Sequence, residues 1–223
     1  MVVVNCAIQG DFILISQTYY KEMYLEGKDA AAIEREVRHL RAEIARRKEK
    51  MESPATAFEE RRFPTPGVNV SICREYLNLA LDYLSEINGG ADVRNESEKA
   101  AQIIESLNGN IKAIKLSVIN QLEKVYSITI SDDSVYLTSS VDGELCGRTE
   151  LDRFGVMEVI DGLRMSEWKA EYTPEQYGCV LNLPTEWKLT IEYNGATASR
   201  EYKGRGVTPY NFDILLRLMG AEI

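Results

Sequence analysis

The chain has a single histidine, which limits the chemistry that it could carry out. His39 lies between Arg38 and Leu40 in a highly charged segment, where we expect it on the solvated surface. Serine and cysteine nucleophiles are commonly activated by a histidine base. The four cysteines are scattered without a CxxC pair, a pattern that disfavours a zinc-finger ligand set. Our preferred interpretation therefore includes no catalytic residue, no metal ligand and no cofactor.

Four carboxylates cluster around two predicted turns. They belong to Asp132, Asp133, Asp142 and Glu144. Carboxylate oxygens are the ligands that Mg²⁺ and Ca²⁺ prefer, but aspartate is also a residue that tight turns need. A divalent-metal-dependent enzyme built on the carboxylates at 132–144 is one alternative, and turns without metal are the other.

Residues 35–50 form the most basic stretch of the chain and are predicted to be helical. Arg46, Arg47 and Lys48 lie near its end, and glutamates interleave with the basic residues along its length. Such interleaving favours ion pairs between helix neighbours three or four residues apart. Aromatic side chains, on which nucleic-acid bases could stack, do not alternate with the basic ones. A nucleic-acid-binding regulator using the basic helix 35–50 is a second alternative.

The net charge of -9 favours a different kind of partner. Acidic residues are densest between Asp132 and Glu192, and such a surface repels phosphate while it could attract a basic groove on a protein. The alternative is that the acidic charge serves only to keep the chain in solution. We therefore expect a protein partner with a basic surface, and neither nucleic acid nor a membrane. The predicted partner-binding residues are Glu167, Glu171, Glu175, Asp132 and Asp133.

The first part of the chain is predicted to be a helical hairpin over residues 1–53. One helix covers 11–26, Gly27 ends it, and a second helix begins near Asp29. Apolar residues recur along the second helix with heptad spacing, which predicts a packing seam. The seam could pack within the chain or join two copies in a homodimer. It consists of Ile33, Val37, Leu40 and Ile44.

The remainder is predicted to be a Pro-rich linker over 54–70, a helical segment over 71–125, and an antiparallel sheet with packed helices over 126–223. Within the helical segment, a helix is predicted over 95–107, where Asn95 and Glu98 form a capping-box-like pair, and another over 110–125, where apolar residues recur on one face. Within the sheet, Thr149 is the predicted cap of a helix, and Asn194-Gly195 is the predicted two-residue turn of a hairpin. The fold class is α+β: a helical N-terminal half with a helical hairpin, then a small antiparallel sheet with a C-terminal helix.

The C-terminal residues carry a pattern that resembles a known element. The pattern is Trp187-x-Leu-x-Ile-x-Tyr193, a glycine turn, Tyr202-x-Gly204, and Pro209-x-Asn-Phe212. It is similar to the C-terminal element of uncharacterised proteins from Firmicutes-type bacteria and their mobile elements. The likeness departs at Val207-Thr208. It implies a structural element without assigned chemistry.

These observations together favour a cytoplasmic, non-enzymatic macromolecule-binding protein. The N-terminus lacks the basic region and apolar core of a signal peptide, and no apolar run is long enough for a membrane span. The specific hypothesis is a mobile-element inhibitor, comparable to an anti-CRISPR, whose acidic surface blocks a basic groove of a host protein.

Overall fold

A computed structural model describes residues 15–56 and 65–222, which form an α+β fold. Helices occupy the N-terminal half, followed by a seven-stranded, mostly antiparallel sheet and a C-terminal helix. The chain divides into two units, one made of residues 1–48 and 60–93 and the other of 49–59 and 94–223. In the described part of the chain, no helix is both long enough and apolar enough to cross a bilayer.

The first unit is helical. Helix α1, Gln17–Tyr20, continues as a π-helical turn over Lys21–Leu25. Gly27, with φ of 71°, allows the chain to turn before helix α2, which spans Ala30–Glu52. The residues of α2 from Glu49 onward belong to the second unit. Asp29 Oδ1 accepts a hydrogen bond from the Ala32 amide at 2.7 Å, which caps α2 as predicted. Helix α3 spans Pro66–Ile87.

The heptad seam of α2 lies in the core of this unit. Ile33, Val37 and Leu40 are buried, and Ile44 packs partly buried against the same cluster. The core also contains the stacked rings of Tyr20 and Tyr76, whose centroids are 4.1 Å apart. The seam therefore packs within the chain, one of the two arrangements that its spacing allows, and pairing of two copies along it stays a prediction.

The second unit is built on the sheet, whose strand order is β4-β3-β2-β1-β6-β7-β5. All neighbouring strands are antiparallel except β5 and β7, which are parallel. The strands are β1 Ile111–Ile119, β2 Glu123–Ile130, β3 Val135–Val141, β4 Glu144–Leu151, β5 Glu171–Tyr172, β6 Glu186–Tyr193 and β7 Arg200–Arg205. The helices are α4 Glu96–Glu105, α5 Arg153–Leu163 and α6 Phe212–Met219, with short 3-10 turns at Asn108–Asn110, Met165–Glu167 and Pro174–Tyr177.

One face of this sheet holds the core of the second unit. Along strand β6 buried residues alternate with more exposed ones, and the buried residues are Trp187, Leu189, Ile191 and Tyr193. Trp187 Nε1 donates a hydrogen bond to the Val207 carbonyl at 2.8 Å, and the indole ring lies 4.5 Å from the Phe212 ring of α6. The Trp187 ring also covers Gly204, where a Cβ atom would clash with it. The core needs glycine at this point of β7.

The helix predicted over 110–125 is wrong, and the helical segment predicted over 71–125 ends at Glu105. The stretch forms β1 and β2 instead. A β-bulge between Ile111 and Ala113 shifts the alternation, so Ile111 and Ile114 are both buried although they are three residues apart. The bulge thus gives a strand the apolar spacing of a helix.

The predicted two-residue turn at Asn194-Gly195 is also wrong. Ile191 pairs with Arg200, so the β6–β7 hairpin closes through a longer loop. Beyond Ile191, β6 continues along β1, where Tyr193 pairs with Ile111 and the Asn194 amide donates to the Asn110 carbonyl at 2.8 Å. These contacts with β1 carry the strand past the point where a tight hairpin would turn.

Two boundary predictions need correction as well. Thr149 lies within β4 and is not a helix cap. The cap of α5 is Asp152, whose carboxylate accepts a hydrogen bond from the Gly155 amide at 2.6 Å. Of the linker predicted over 54–70, residues 57–64 lie outside the described residues, and Pro66 begins α3, where its missing N–H is harmless.

Candidate partner-binding surface

The five predicted partner-binding residues lie in two separate places on the second unit. Asp132 and Asp133 occupy the turn before β3, whereas Glu171 and Glu175 lie in and just after β5, with Glu167 shortly before it. β3 and β5 are five strand positions apart in the sheet, roughly 24 Å at the usual strand spacing. The sequence therefore predicts one acidic surface where the fold has two.

The glutamates near β5 are paired with basic side chains of β7. Glu171 lies 3.2 Å from Lys203 Nζ, and Glu175 lies 2.7 Å from Arg205 Nη2. Hydrogen bonds from its own amide and from the Thr173 hydroxyl hold the pKa of Glu175 below its usual value, and Arg205 adds to the effect. Glu171, Lys203 and Arg205 line a shallow groove of about 480 Å³, so basic side chains accompany the carboxylate there.

The aspartates before β3 lie beside the start of α5. Arg153 Nη1 donates hydrogen bonds to the carbonyl oxygens of Ser131, at 2.5 Å, and Asp132, at 3.1 Å. The strand ends meet here as well, since Val135 pairs with Leu151. The side chain of Arg153 is thus directed at the backbone of the turn, while the carboxylates of Asp132 and Asp133 belong to exposed residues.

The residue after Arg153 carries an exposed aromatic ring. Phe154, the second residue of α5, is 80% exposed, and Glu158 follows one helical turn later on the same face. We call Asp132, Asp133, Phe154 and Glu158 the acidic edge surface. Large aromatic side chains at the centre of a polar rim are typical anchors of protein interfaces. Chemically, this arrangement can offer an apolar ring together with carboxylates to a basic partner.

Sequence reasoning missed Phe154 because its spacing from Met157 and Ile160 fits an apolar helical stripe. In the fold, α5 packs on the sheet through Val156, Ile160 and Leu163. Phe154 precedes Val156 by two residues and therefore points away from that face. The helix cap at Asp152 was the signal that could have fixed this register.

A second apolar feature is the loop over 178–185, close to Glu175. Val180 is 89% exposed and Leu183 is 99% exposed. Leu183 also has a φ of 52°, a left-handed conformation that is costly for a bulky residue. The adjacent Leu181 packs close to Gly206. The loop thus presents apolar side chains to solvent at a strained position.

The carboxylates proposed as metal ligands are not brought together. Asp132 and Asp133 precede β3 and Asp142 and Glu144 follow it, so the strand, about 23 Å long, separates the two pairs. Asp142 instead has a turn role, since its Oδ1 accepts a hydrogen bond from the Glu123 amide at 3.0 Å. Within residues 15–56 and 65–222, no group of three or more His, Cys, Asp or Glu side chains could hold a metal ion.

Two basic residues of α2, Arg46 and Arg47, pair with the same glutamate. Glu43 lies 2.7 Å from Arg46 Nη2 and 2.6 Å from Arg47 Nε, and the hydrogen bond from Arg46 contributes most to lowering the pKa of Glu43. The Arg47 side chain is 10% exposed, so it is poorly placed for phosphate, whereas Arg46 is open to solvent. His39 is exposed on the same helix, as expected.

Comparisons of the chain with protein-family models, curated proteins and solved structures find no match.

Proposed function

We propose that this chain is a non-enzymatic macromolecule-binding protein whose acidic edge surface occupies a basic groove on a protein partner. The observation that carries the proposal is the exposure of Phe154 one helical turn before Glu158 and directly after Arg153, whose side chain contacts the turn that holds Asp132 and Asp133. When a partner buries an exposed aromatic ring, the burial contributes about 1.5–3 kcal/mol to the free energy of binding. The negative charges of the carboxylates would favour a partner whose surface is positively charged.

Charge and ring contribute to different stages of binding. Complementary charges mainly raise the association rate and exclude partners of like charge. A buried aromatic anchor mainly lengthens the lifetime of the complex, because removing it leaves a cavity at the centre of the interface. The acidic edge surface combines both on one corner of the sheet. Glu167, Glu171 and Glu175 contribute less in this proposal, because Glu171 and Glu175 already face Lys203 and Arg205.

The finer hypothesis is a cytoplasmic mobile-element inhibitor, comparable to an anti-CRISPR, that blocks the nucleic-acid groove of a host protein. It is supported by the net charge of -9, which mimics the sign of a nucleic acid, and by the resemblance of the C-terminal residues. The rival function, a nucleic-acid-binding regulator, would use Arg46, Arg47 and Lys48. For this function Arg46 and Arg47 would have to leave their ion pairs with Glu43 in order to bind phosphate.

Capture from a bacterial extract with matched variants tests the proposal. We expect Phe154→Ala and the pair Asp132→Lys with Asp133→Lys each to reduce recovery of a basic protein by about tenfold or more. The control is Glu186→Lys with Glu192→Lys, which changes the net charge equally at two exposed positions of β6. Equal recovery by all variants would reject the acidic edge surface.

Salt-sensitive binding of duplex DNA, lost on changing Arg46, Arg47 and Lys48 to Ala, would favour the rival function.

A further inference from the structure

Strand β4 ends the sheet on the side away from β5, and most of its side chains are exposed. Among the described residues, no strand pairs with its outer edge. Such an edge presents backbone N–H and C=O groups that can pair with another strand. The edge of β4 is therefore a surface on which a further chain could extend the sheet.

Only the second half of β4 is suited to pairing. A bulge opposite Ser139 and Ser140 disturbs the first half, and natural sheet edges use bulges to prevent pairing. From Gly147 to Leu151 the register with β3 is regular. An incoming strand would thus pair along residues 147–151.

Charge defines which strand fits there. Alternation places Arg148 and Glu150 on the same face of the sheet, opposite Thr138 and Tyr136 of β3, and both side chains are exposed. The guanidinium of Arg148 lies 3.9 Å from the centroid of the Tyr136 ring, which holds the cation close to the sheet. The edge therefore presents a positive and a negative charge two residues apart.

We infer that a second copy of this chain pairs antiparallel with β4 about a two-fold axis at Thr149. In this register Arg148 of each copy lies opposite Glu150 of the other, and the two exposed Thr149 side chains face each other. Opposite charges and threonine pairs across strands stabilise a sheet, whereas like charges destabilise it. An axis at Arg148 or at Glu150 would set like charges against each other, so the charge pattern selects the axis at Thr149.

Light scattering during gel filtration, over a dilution series of the purified chain, tests the pairing. We expect the mass to rise with concentration from 25.2 kDa towards twice that value. Arg148→Glu alone and Glu150→Arg alone should each raise the dimer dissociation constant by roughly tenfold, because each change creates two like-charge pairs. A mixture of the two single variants should form the dimer again, since their charges are complementary. This rescue separates a lost interface from a lost fold.

Disulfide formation tests the register. In a Thr149→Cys variant the introduced thiols face each other across the axis, and we expect an intermolecular disulfide there under mild oxidation. The natural Cys146 is exposed and serves as an internal control, because it would cross-link only in a different register. A mass that stays at one chain throughout, a dimer indifferent to both single reversals, or cross-linking through Cys146 would each overturn the inference. The measurement needs no other partner, so its outcome is independent of the proposed function.

Discussion

The carboxylate of Glu52 accepts a hydrogen bond from the Tyr177 hydroxyl at 2.8 Å, although the two residues are 125 positions apart in the chain. Lys169 Nζ lies 3.1 Å from the same carboxylate oxygen, and Tyr172 donates to the other at 3.4 Å. The Glu52 side chain is 2% exposed, so these donors replace the water that a carboxylate would otherwise bind. The cluster fixes the end of α2 to the region around β5 within the second unit.

Removing the carboxylate should destabilise the second unit. We expect Glu52→Ala to lower the free energy of unfolding by about 3 kcal/mol, because buried hydrogen bonds to a charged group are worth roughly 1.5–3 kcal/mol each. Glu49→Ala is the matched control, since Glu49 is an exposed glutamate on the same helix and should change stability by less than about 0.5 kcal/mol. Chemical denaturation measures both. Equal effects would show that the cluster contributes nothing to stability.

The same cluster should make the protein sensitive to alkali. Burial raises the pKa of Tyr177 to about 12, against a usual value of 10.0. Burial alone would lower the pKa of Lys169, but its hydrogen bonds to Tyr177 and Glu52 outweigh this and raise it. A raised pKa in the folded state gives stability that is complete below the unfolded pKa and is lost as the pH rises through the folded value. We therefore expect the melting temperature to fall between about pH 10 and pH 12.

The alkaline loss has a direct control. The Glu52→Gln variant lacks the negative charge that helps to raise the pKa of Tyr177 and of Lys169. Its melting temperature should therefore fall less over the same pH range than that of the parent. A parallel decline in both proteins would contradict the role of Glu52.

The contact between Trp187 and Gly204 in the second unit should contribute to stability, so a change in either residue should destabilise the protein. Trp187→Ala should cost roughly 3–5 kcal/mol, as for other buried aromatic residues. Gly204→Ala should also destabilise, because its Cβ would clash with the indole ring. Gly109→Ala is the control, since nothing lies near its Cβ position. The melting temperatures of the three variants, compared with that of the parent, test these expectations. A melting temperature unchanged by Gly204→Ala would contradict the described contact.

The seam of α2 should behave as a core. Leu40 is fully buried, so Leu40→Lys leaves a buried charge and should unfold the first unit. His39→Lys places a lysine at the neighbouring exposed position and should leave the fold intact. Circular dichroism and light scattering measure both effects. A folded Leu40→Lys variant with half the parent mass would instead assign the seam to a homodimer.

The elements that the sequence predicts well have short-range causes. Asn95 and Glu98 form the predicted capping box of α4, and the burial pattern of β6 follows from alternation. The errors involve long-range causes. The bulge in β1 reflects its pairing with β6, and the separation of Asp132 from Glu171 reflects strand order, which local patterns do not encode.

The candidate surface was predictable only in part for the same reason. The exposure of Asp132 and Asp133 was predictable, because turn carboxylates are exposed wherever the turn lies. Phe154 was not found, because its spacing from Met157 and Ile160 fits the apolar stripe, and only the burial of Val156 shows that the ring lies off the packed face. Glu52 was not found either, since its partners lie more than a hundred residues away.

Photo-cross-linking from position 154 tests the central claim most directly. Phe154 is replaced by benzoylphenylalanine, a ring of related shape, and the same residue is placed at Leu183 in a second variant as a comparison exposed position. After irradiation in a bacterial extract, we expect a covalent adduct between position 154 and a basic protein. Addition of Asp132→Lys and Asp133→Lys should abolish the adduct, and raised salt should weaken it. An adduct from position 183 but none from position 154, or one unaffected by the charge reversals, would contradict binding through the acidic edge surface.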